Sequence, residues 1–291
     1  MTASLRAFVL PSDQMLICHI SDLHVRAPGE LAYRRVDTAT FARRCVAHVL
    51  AQRPLPDAVV VTGDLVDSGR PEEYEHLVAL LAPLSMPVYL IPGNHDERNA
   101  LRSAFPEHRY LHNGGEFLHY AVPLGPMRLI GLDTVVPGEG GGSLCSDRLR
   151  WLGKELDEHR DTPVVILMHH PPFPTGVSHM DQVGLRVACP LEPILRRHPR
   201  IEGILCGHLH RTIFQRFGGT IAATCPSPAH QVVLDFMPDA PSQFAMEPPG
   251  YLLHRWSEQE GMTSYAVAIG DFDGPYPFYD QGALIDWQST P

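Results

Sequence analysis

The chain has 291 residues, 33 acidic and 23 basic side chains, a net charge of −10, and Lys154 as its only lysine. That length supports one large domain or two smaller ones with ample core, and an acidic chain without a basic run lacks the footprint of a tight, nonspecific nucleic-acid binder. No apolar run approaches a membrane span, Ala7–Leu10 is too short for a secretory apolar region, and six cysteines without a CxxC pair point away from a zinc ribbon or redox motif and toward a reducing, cytoplasmic setting.

Residues 1–14 read as a short extension. The first core strand is expected over Met15–Ile20, leading into Asp22-Leu23-His24. A helix of about Val36–Gln52 follows, with Phe41, Val46, Val49 and Leu50 at helical spacing and Pro54 and Pro56 stopping it. Ala58–Val61 is wholly apolar, as in a strand buried on both faces, and delivers Gly63-Asp64. Pro71-Glu72-Glu73 opens a second helix, with proline early and acids in the first turn. Pro83 and Pro87 bracket the turn into strand Val88–Ile91, which delivers Gly93-Asn94-His95-Asp96. This rhythm predicts a layered α/β fold.

Tyr120–Val122 and Arg128–Leu132 read as strands, Gly138–Gly142 as a flexible loop without a P-loop lysine, and Asp147 as the cap of a helix to about Glu158. Strand Val164–Met168 runs into His169-His170-Pro171-Pro172, where the prolines forbid further pairing. A connection as long as 173–189 suits a lid or binding loop. After a short helix, Pro190–His198, strand Ile201–Cys206 delivers Gly207-His208-Leu209-His210. Ile213–Phe217, Thr220–Ala223 and Val232–Leu234 are further strands, the first two joined at Gly218-Gly219. Proline-rich 237–250 reads as a linker or cap, and Tyr251–Trp256 with Thr263–Ile269 as a closing strand pair. The tail carrying Phe272, Tyr276, Phe278, Tyr279 and Trp287 should pack on the parent domain or on a second subunit. The expected division is a main domain, 1–236, and a C-terminal cap or dimerisation extension, 237–291, in a homo-oligomer.

Five strand ends thus bring Asp, His and Asn to one edge, which is where open α/β sheets bind ligands. Asp22, His24, Asp64, Asn94, His169, His208 and His210 are candidate metal ligands, and mixed His/carboxylate ligation suits Fe, Mn, Zn or Co. Asp22 and His24 would point opposite ways in a regular strand, so their loop must twist. Two divalent ions bring four positive charges. Asp22, Asp64 and a bridging hydroxide return three, leaving about one, the complement of a phosphodiester monoanion. Ions roughly 3.5–4 Å apart can hold the attacking and leaving oxygens of an in-line displacement and supply hydroxide near pH 7. An alkoxide leaving group needs a proton. His95, beside Asn94, and His230 are the candidate catalytic residues. Arg26 is a candidate phosphoryl contact. Asp96 is expected to orient His95 or cap the next helix, Asp67 to stabilise its loop, and His170 to be structural.

In order, D-x-H, G-D-x, G-N-H-D, H and G-H-x-H resemble the signature of the calcineurin-like metallophosphoesterases over roughly residues 15–235. The resemblance implies a β-sandwich flanked by helices and a site for two metals. Ile20-Ser21-Asp22, Arg70–Tyr74, Leu90–Asp96, Met168–Pro172, Met180-Asp181, Ala229–Val232 and the stretch around His254-Arg255 are more closely similar to bacterial glycerophosphodiesterases of the class III cyclic-nucleotide phosphodiesterase group. By that resemblance Asp22, His24, Asp64 and His210 hold one ion, and Asp64, Asn94, His169 and His208 the other. His95 and His230 then lie behind the ligands or face substrate. The implied substrate is a small phosphodiester, glycerophosphodiesters first and cyclic nucleotides as the alternative, with neither nucleic acid nor membrane as a partner. A non-catalytic metal-binding scaffold is the rival of another class, and lost ligands would mark it; none of the expected ones is missing. The departures, at Leu209 and in Phe173–Ala188, bear on the pocket more than on the metal residues.

Overall fold

The computed structural model describes residues 14–113, 115–186, 190–280 and 283–285; the expected extension up to residue 13, Cys189 and Trp287 lie outside them. The first half runs β1 (Gln14–Ile20), α1 (Thr38–Leu50), β2 (Ala58–Thr62), α2 (Pro71–Leu81), β3 (Val88–Ile91). Strands β1–β2 and β2–β3 pair in parallel, so each connection must cross over, and the amphipathic helices make the crossings. Asp37 caps α1 by accepting from Thr40 N at 3.0 Å, worth about 1 kcal/mol. Glu73 closes the start of α2 by accepting from Arg70 N at 3.3 Å. α3 (Arg98–Ala104) follows, capped by Glu97 rather than Asp96.

The second half places β4 (Tyr120–Leu124), β5 (Met127–Leu132), β6 (Gly142–Ser143), α4 (Ser146–Glu158), β7 (Val164–Met168), α5 (Ser178–Asp181), β8 (Leu185–Arg186), α6 (Leu191–Arg196), β9 (Ile201–Cys206), β10 (Ile213–Phe217) and β11 (Thr220–Thr224). They build a six-stranded sheet, ordered β10-β11-β9-β7-β5-β4, with β6 and β8 paired beside it. α4 starts at Ser146 with Cys145 as its cap, so Asp147 sits in its first turn. The long connection after β7 carries its own structure, α5 and the β8 pairing.

Strand alternation sorts the core into layers. Val59 and Val61 face the helices with Val46, Val49, Leu77 and Leu80, whereas Val60 meets Ile17, Ile91, Leu129, Val165, Leu167, Leu205 and Trp256 between the two sheets. Ile130, Ile166 and Ile204 face α4 and α6. The α/β expectation is met as two sheets packed face to face with helices outside.

The C-terminal segment forms the expected strand pair and adds it to the first sheet. Val232–Leu234 narrows to β12 (Gln231–Val232), which pairs with β13 (Phe244–Ala245). The closing pair, β14 (Gly250–Ser257) and β15 (Gly261–Ala268), joins the first sheet, giving β15-β14-β1-β2-β3. β14 runs antiparallel along β1 from Gln14↔Ser257 to His19↔Leu252. The boundary expected at 236 therefore cuts through one sheet. An uncovered β1 would leave a row of unpaired backbone groups, and the alternation within β14 does not say which edge it covers.

Candidate metal centre

The ends of β1, β2, β3, β7 and β9 meet at one edge of the sandwich. The twist expected between Asp22 and His24 is present: both adopt left-handed backbone, φ 55° and 46°. Asp64, His208 and His210 do the same at φ 48°, 71° and 50°. Such conformations cost on the order of 1–3 kcal/mol each outside glycine and gather where surrounding structure enforces them. Gly63 and Gly93 let the strand ends meet. A Cβ on Gly63 would lie 2.5 Å from His169 Nδ1, and one on Gly93 2.2 Å from Asp64 Oδ1.

Donor bookkeeping on the imidazoles shows what the site is built for. His24 Nδ1 donates to Asp67 Oδ1 at 3.2 Å and His210 Nδ1 to the His230 carbonyl at 3.0 Å. With Nδ1 of each ring so committed, the two Nε2 atoms point inward and face each other at 3.1 Å, a pairing that a shared cation would satisfy. His169 Nδ1 donates to the Thr62 carbonyl at 2.8 Å, and its Nε2 lies 3.1 Å from Asn94 Oδ1. His208 Nδ1 is also 3.1 Å from Asn94 Oδ1. Asp64 Oδ2 stands between the groups, 3.5 Å from His24 Nε2 and 3.4 Å from His169 Nε2. Asp22 Oδ1 is 3.5 Å from His210 Nε2. Converging acceptors repel unless a cation lies among them, so the donor set fits metal ions, with Asp64 placed to serve two. Backbone amides brace the carboxylates: His208 N donates to Asp22 at 3.0 and 3.1 Å, and His95 N to Asp64 Oδ1 at 2.9 Å.

The two carboxyls differ before any metal charge is added. Burial raises Asp22, and His210 and His169 offset it only in part. Burial also raises Asp64, but His169, His95 and His24 outweigh it and hold Asp64 well below its ordinary value. His169 itself rises to about 9, burial being overcome by Asp64.

Around this floor the expected residues divide. Burial lowers His95, but Asp64 and the Asp67 carbonyl outweigh it, so its pKa is raised; its Nδ1 donates to that carbonyl at 2.7 Å. His95 packs edge-on to His24, ring centres 4.6 Å apart. His230 packs against His210 at 4.6 Å, and its Nδ1 has no partner. Burial, with His210 and His24, drives it down to about 2. Arg26, expected to reach substrate, does not line the cavity. Its guanidinium lies 3.0 Å from Asp67, 2.7 Å from Glu30 and 3.2 Å from Glu73, so three carboxylates already occupy it. Asp96 does not orient His95; it accepts from Leu65, Val66 and Gly93 amides and Tyr74 Oη, tying two ligand loops together. Asp67 orients His24 instead. His170 is structural: it bonds Thr134 Oγ1 at 2.8 Å and the Gly140 carbonyl at 3.1 Å.

The cavity over the floor encloses about 390 Å³. One wall comes from Gly140, His179, Met180 and Val183, the other from Tyr33, Val232, Ser242, Gln243 and Phe244. Sequence reasoning marked the 173–189 loop as pocket-shaping but named neither His179 nor Phe244. His179 borders the similar stretch Met180-Asp181, which was the available signal; no motif surrounds Phe244, and the β12–β13 pairing brings it to the cavity.

A family model described as calcineurin-like phosphoesterase matches residues 15–212. The chain belongs to that family. It is 38% identical over 274 residues to a protein of Arcobacter nitrofigilis named "probable glycerophosphodiester phosphodiesterase", across 94% of this chain and all of that one. It is 30% identical over 244 residues to a 3′,5′-cyclic adenosine monophosphate phosphodiesterase of Pseudomonas aeruginosa, across 83% of this chain and 84% of the other. Among solved structures, a dimetal phosphatase from Danio rerio shares the fold with a TM-score of 0.59 at 16% identity, covering 88% of this chain and 99% of its own. The phosphoesterase is thus a hydrolase with a metal-ligand cluster on the edge of its sandwich. No helix among the described residues is long and apolar enough to cross a membrane.

Proposed function

We propose that the protein hydrolyses small phosphodiesters, glycerophosphodiesters first, to a phosphomonoester and an alcohol. The observation that carries this reading is the pair of ligand groups sharing Asp64: Asp22, His24, Asp64 and His210 on one side, Asp64, Asn94, His169 and His208 on the other. These residues would hold two divalent ions, Fe, Mn, Zn or Co, which when bound would supply a hydroxide nucleophile near neutral pH and offset charge on phosphorus. The chain's own contribution is orientation and proton transfer. Asp67, Thr62 and His230 present main-chain or side-chain acceptors that turn His24, His95, His169 and His210 into place. His95, with its pKa raised and its ring at the cavity, carries the proton that the departing alkoxide needs. His230, held neutral and lining the cavity, is a hydrogen-bonding contact for the substrate.

The resemblance to the glycerophosphodiester relative over the whole of that chain favours glycerophosphodiesters, while the cyclic-nucleotide relative sets the alternative. The test is kcat/KM for glycerophosphoethanolamine against 3′,5′-cyclic AMP on the Mn-reconstituted protein. A preference of about tenfold for the former, about 1.4 kcal/mol in the transition state, supports the reading; the reverse preference replaces it with a cyclic-nucleotide phosphodiesterase. Metal content measured alongside a generic diester assay separates enzyme from scaffold.

The same reading includes a homo-oligomer and a reducing, cytoplasmic setting. Phe272, Tyr276, Phe278 and Tyr279 are 67%, 71%, 80% and 63% exposed, an aromatic stretch that a second subunit could cover. Cys18, Cys45, Cys206 and Cys225 are buried free thiols. A monomer mass by light scattering at working concentration removes the oligomer.

A further inference from the structure

On the inter-sheet face of the first sheet, apolar side chains give way to polar ones toward the ligand edge. β1 follows Ile17 with His19, β2 follows Val60 with Thr62, and β14 follows Trp256, read backward, with His254. His19, Thr62 and His254 have no exposed surface. They are bonded in series across four strands. Ser264 Oγ on β15 is 2.8 Å from His254 Nδ1, His254 Nε2 is 3.3 Å from His19 Nδ1, and His19 Nε2 is 2.8 Å from Thr62 Oγ1.

The proton order follows from the inner end. Thr62 Oγ1 donates to Ser21 Oγ at 2.8 Å, and Ser21 Oγ donates to the Thr62 carbonyl at 3.3 Å. With its own proton committed, Thr62 Oγ1 must accept from His19 Nε2. A neutral His19 then accepts at Nδ1 from His254 Nε2, and His254 accepts at Nδ1 from Ser264. Burial keeps both rings neutral, His254 at about 3 and His19 well below its ordinary value, with His254 adding to the latter shift. One direction satisfies each of these groups. The inner end is where the metal ligands begin: Ser21 precedes Asp22, and the Thr62 carbonyl is the acceptor that orients His169.

We propose that His254 and His19 are positioning residues of the metal centre, a one-way hydrogen-bond chain that carries the placement of a C-terminal strand to the carbonyl behind His169 and the turn holding Asp22. This rests on the two-metal reading of the site. Apolar residues fill the adjacent layer of the same face without desolvating any polar group, so a polar ladder here has a cost that core packing alone does not require. A fully satisfied buried network rigidifies its members, and partners behind metal ligands typically change metal affinity 10–100-fold when removed.

The test compares His254→Phe, which fills the space but removes the donor, with His254→Gln, which keeps an N–H near the Nε2 position. Mn2+ binding is followed by calorimetry on the full chain, with hydrolysis of bis(4-nitrophenyl) phosphate and thermal melting in parallel. For His254→Phe the expected result is a Mn2+ midpoint raised about tenfold with activity recovered at saturating metal, and for His254→Gln a midpoint close to wild type. Overlaid Mn2+ curves for Phe and wild type overturn the proposal, as do equal shifts in Phe and Gln that track only lost stability. If His254→Phe does not fold, the near-isosteric Thr62→Val cuts the same chain; a tenfold shift upholds the proposal and an unshifted midpoint overturns it. A wild-type protein that binds no Mn2+ sinks the metal reading itself, an outcome distinct from all of these.

Discussion

The floor of the cavity and its walls are built on opposite plans. The floor sits on strand ends, its carboxylates braced by backbone amides and its imidazoles turned by fixed acceptors. The walls are a short helix held by an Asp181–Thr175 turn and a two-residue pairing that presents Phe244. Strand ends place atoms more precisely than loops do, and loops are where binding contacts most often vary.

Breaking the floor should have the largest effects. Asp64→Ala removes the carboxylate that stands between His24 and His169, and metal-dependent diesterase activity should fall by at least on the order of 10³-fold, equal to several kcal/mol of lost transition-state stabilisation. Metal content and circular dichroism of the same sample separate this from unfolding, and full activity in a folded variant removes Asp64 from the site. His95→Ala should lower kcat on glycerophosphoethanolamine by about 100-fold. On bis(4-nitrophenyl) phosphate, whose leaving group needs no proton, it should lose far less; equal losses on both substrates mean that His95 is not the proton donor.

The walls should respond differently. Phe244→Ala should leave metal content unchanged and shift the kcat/KM ratio between glycerophosphoethanolamine and 3′,5′-cyclic AMP by about tenfold, within the range for one pocket contact. A changed metal content with an unchanged ratio would make Phe244 part of the floor.

Stability separates the scaffold from both. His19 and His254 have folded pKa values below the ordinary 6.5 or so. Between that value and about 3 for His254, the unfolded chain binds more protons. Their contribution is therefore complete above pH 6.5 and is lost as pH falls, by up to about 1.4 kcal/mol per pH unit for each histidine. The denaturant midpoint should drop from pH 7 to pH 5 and drop less steeply in His254→Phe. Arg26→Ala should have the smallest catalytic effect, with kcat/KM nearly unchanged and about 1 kcal/mol of stability lost from the buried Glu73. A large rise in KM would return Arg26 to substrate.

How far the sequence reached depends on the locality of each cause. Apolar runs and prolines located β1, β2, β3, β7 and β9 within a residue or two, because burial on both faces and blocked pairing are written into neighbouring residues. Asp22, His24, Asp64, Asn94, His169, His208 and His210 were legible because each follows such a run, and the fold brings all of them together. The ion pairs of Arg26 were not legible because Glu30 and Asp67 are loop residues whose approach no local pattern encodes. Phe244 was missed for the same reason.

By itself the sequence determined the alternation of strands and helices, the ligand types at the strand ends and the family they mark, since these follow from periodicity, turn chemistry and the order of motifs. Only the tertiary structure decided that β14 closes the edge of β1, that left-handed turns bend Asp22 and His24 together, and that a histidine of the C-terminal segment joins a hydrogen-bond chain reaching Thr62 and Ser21. Those outcomes depend on contacts between residues as far apart as His19 and His254, whose registry is set by burial of whole faces and by backbone groups that must find partners.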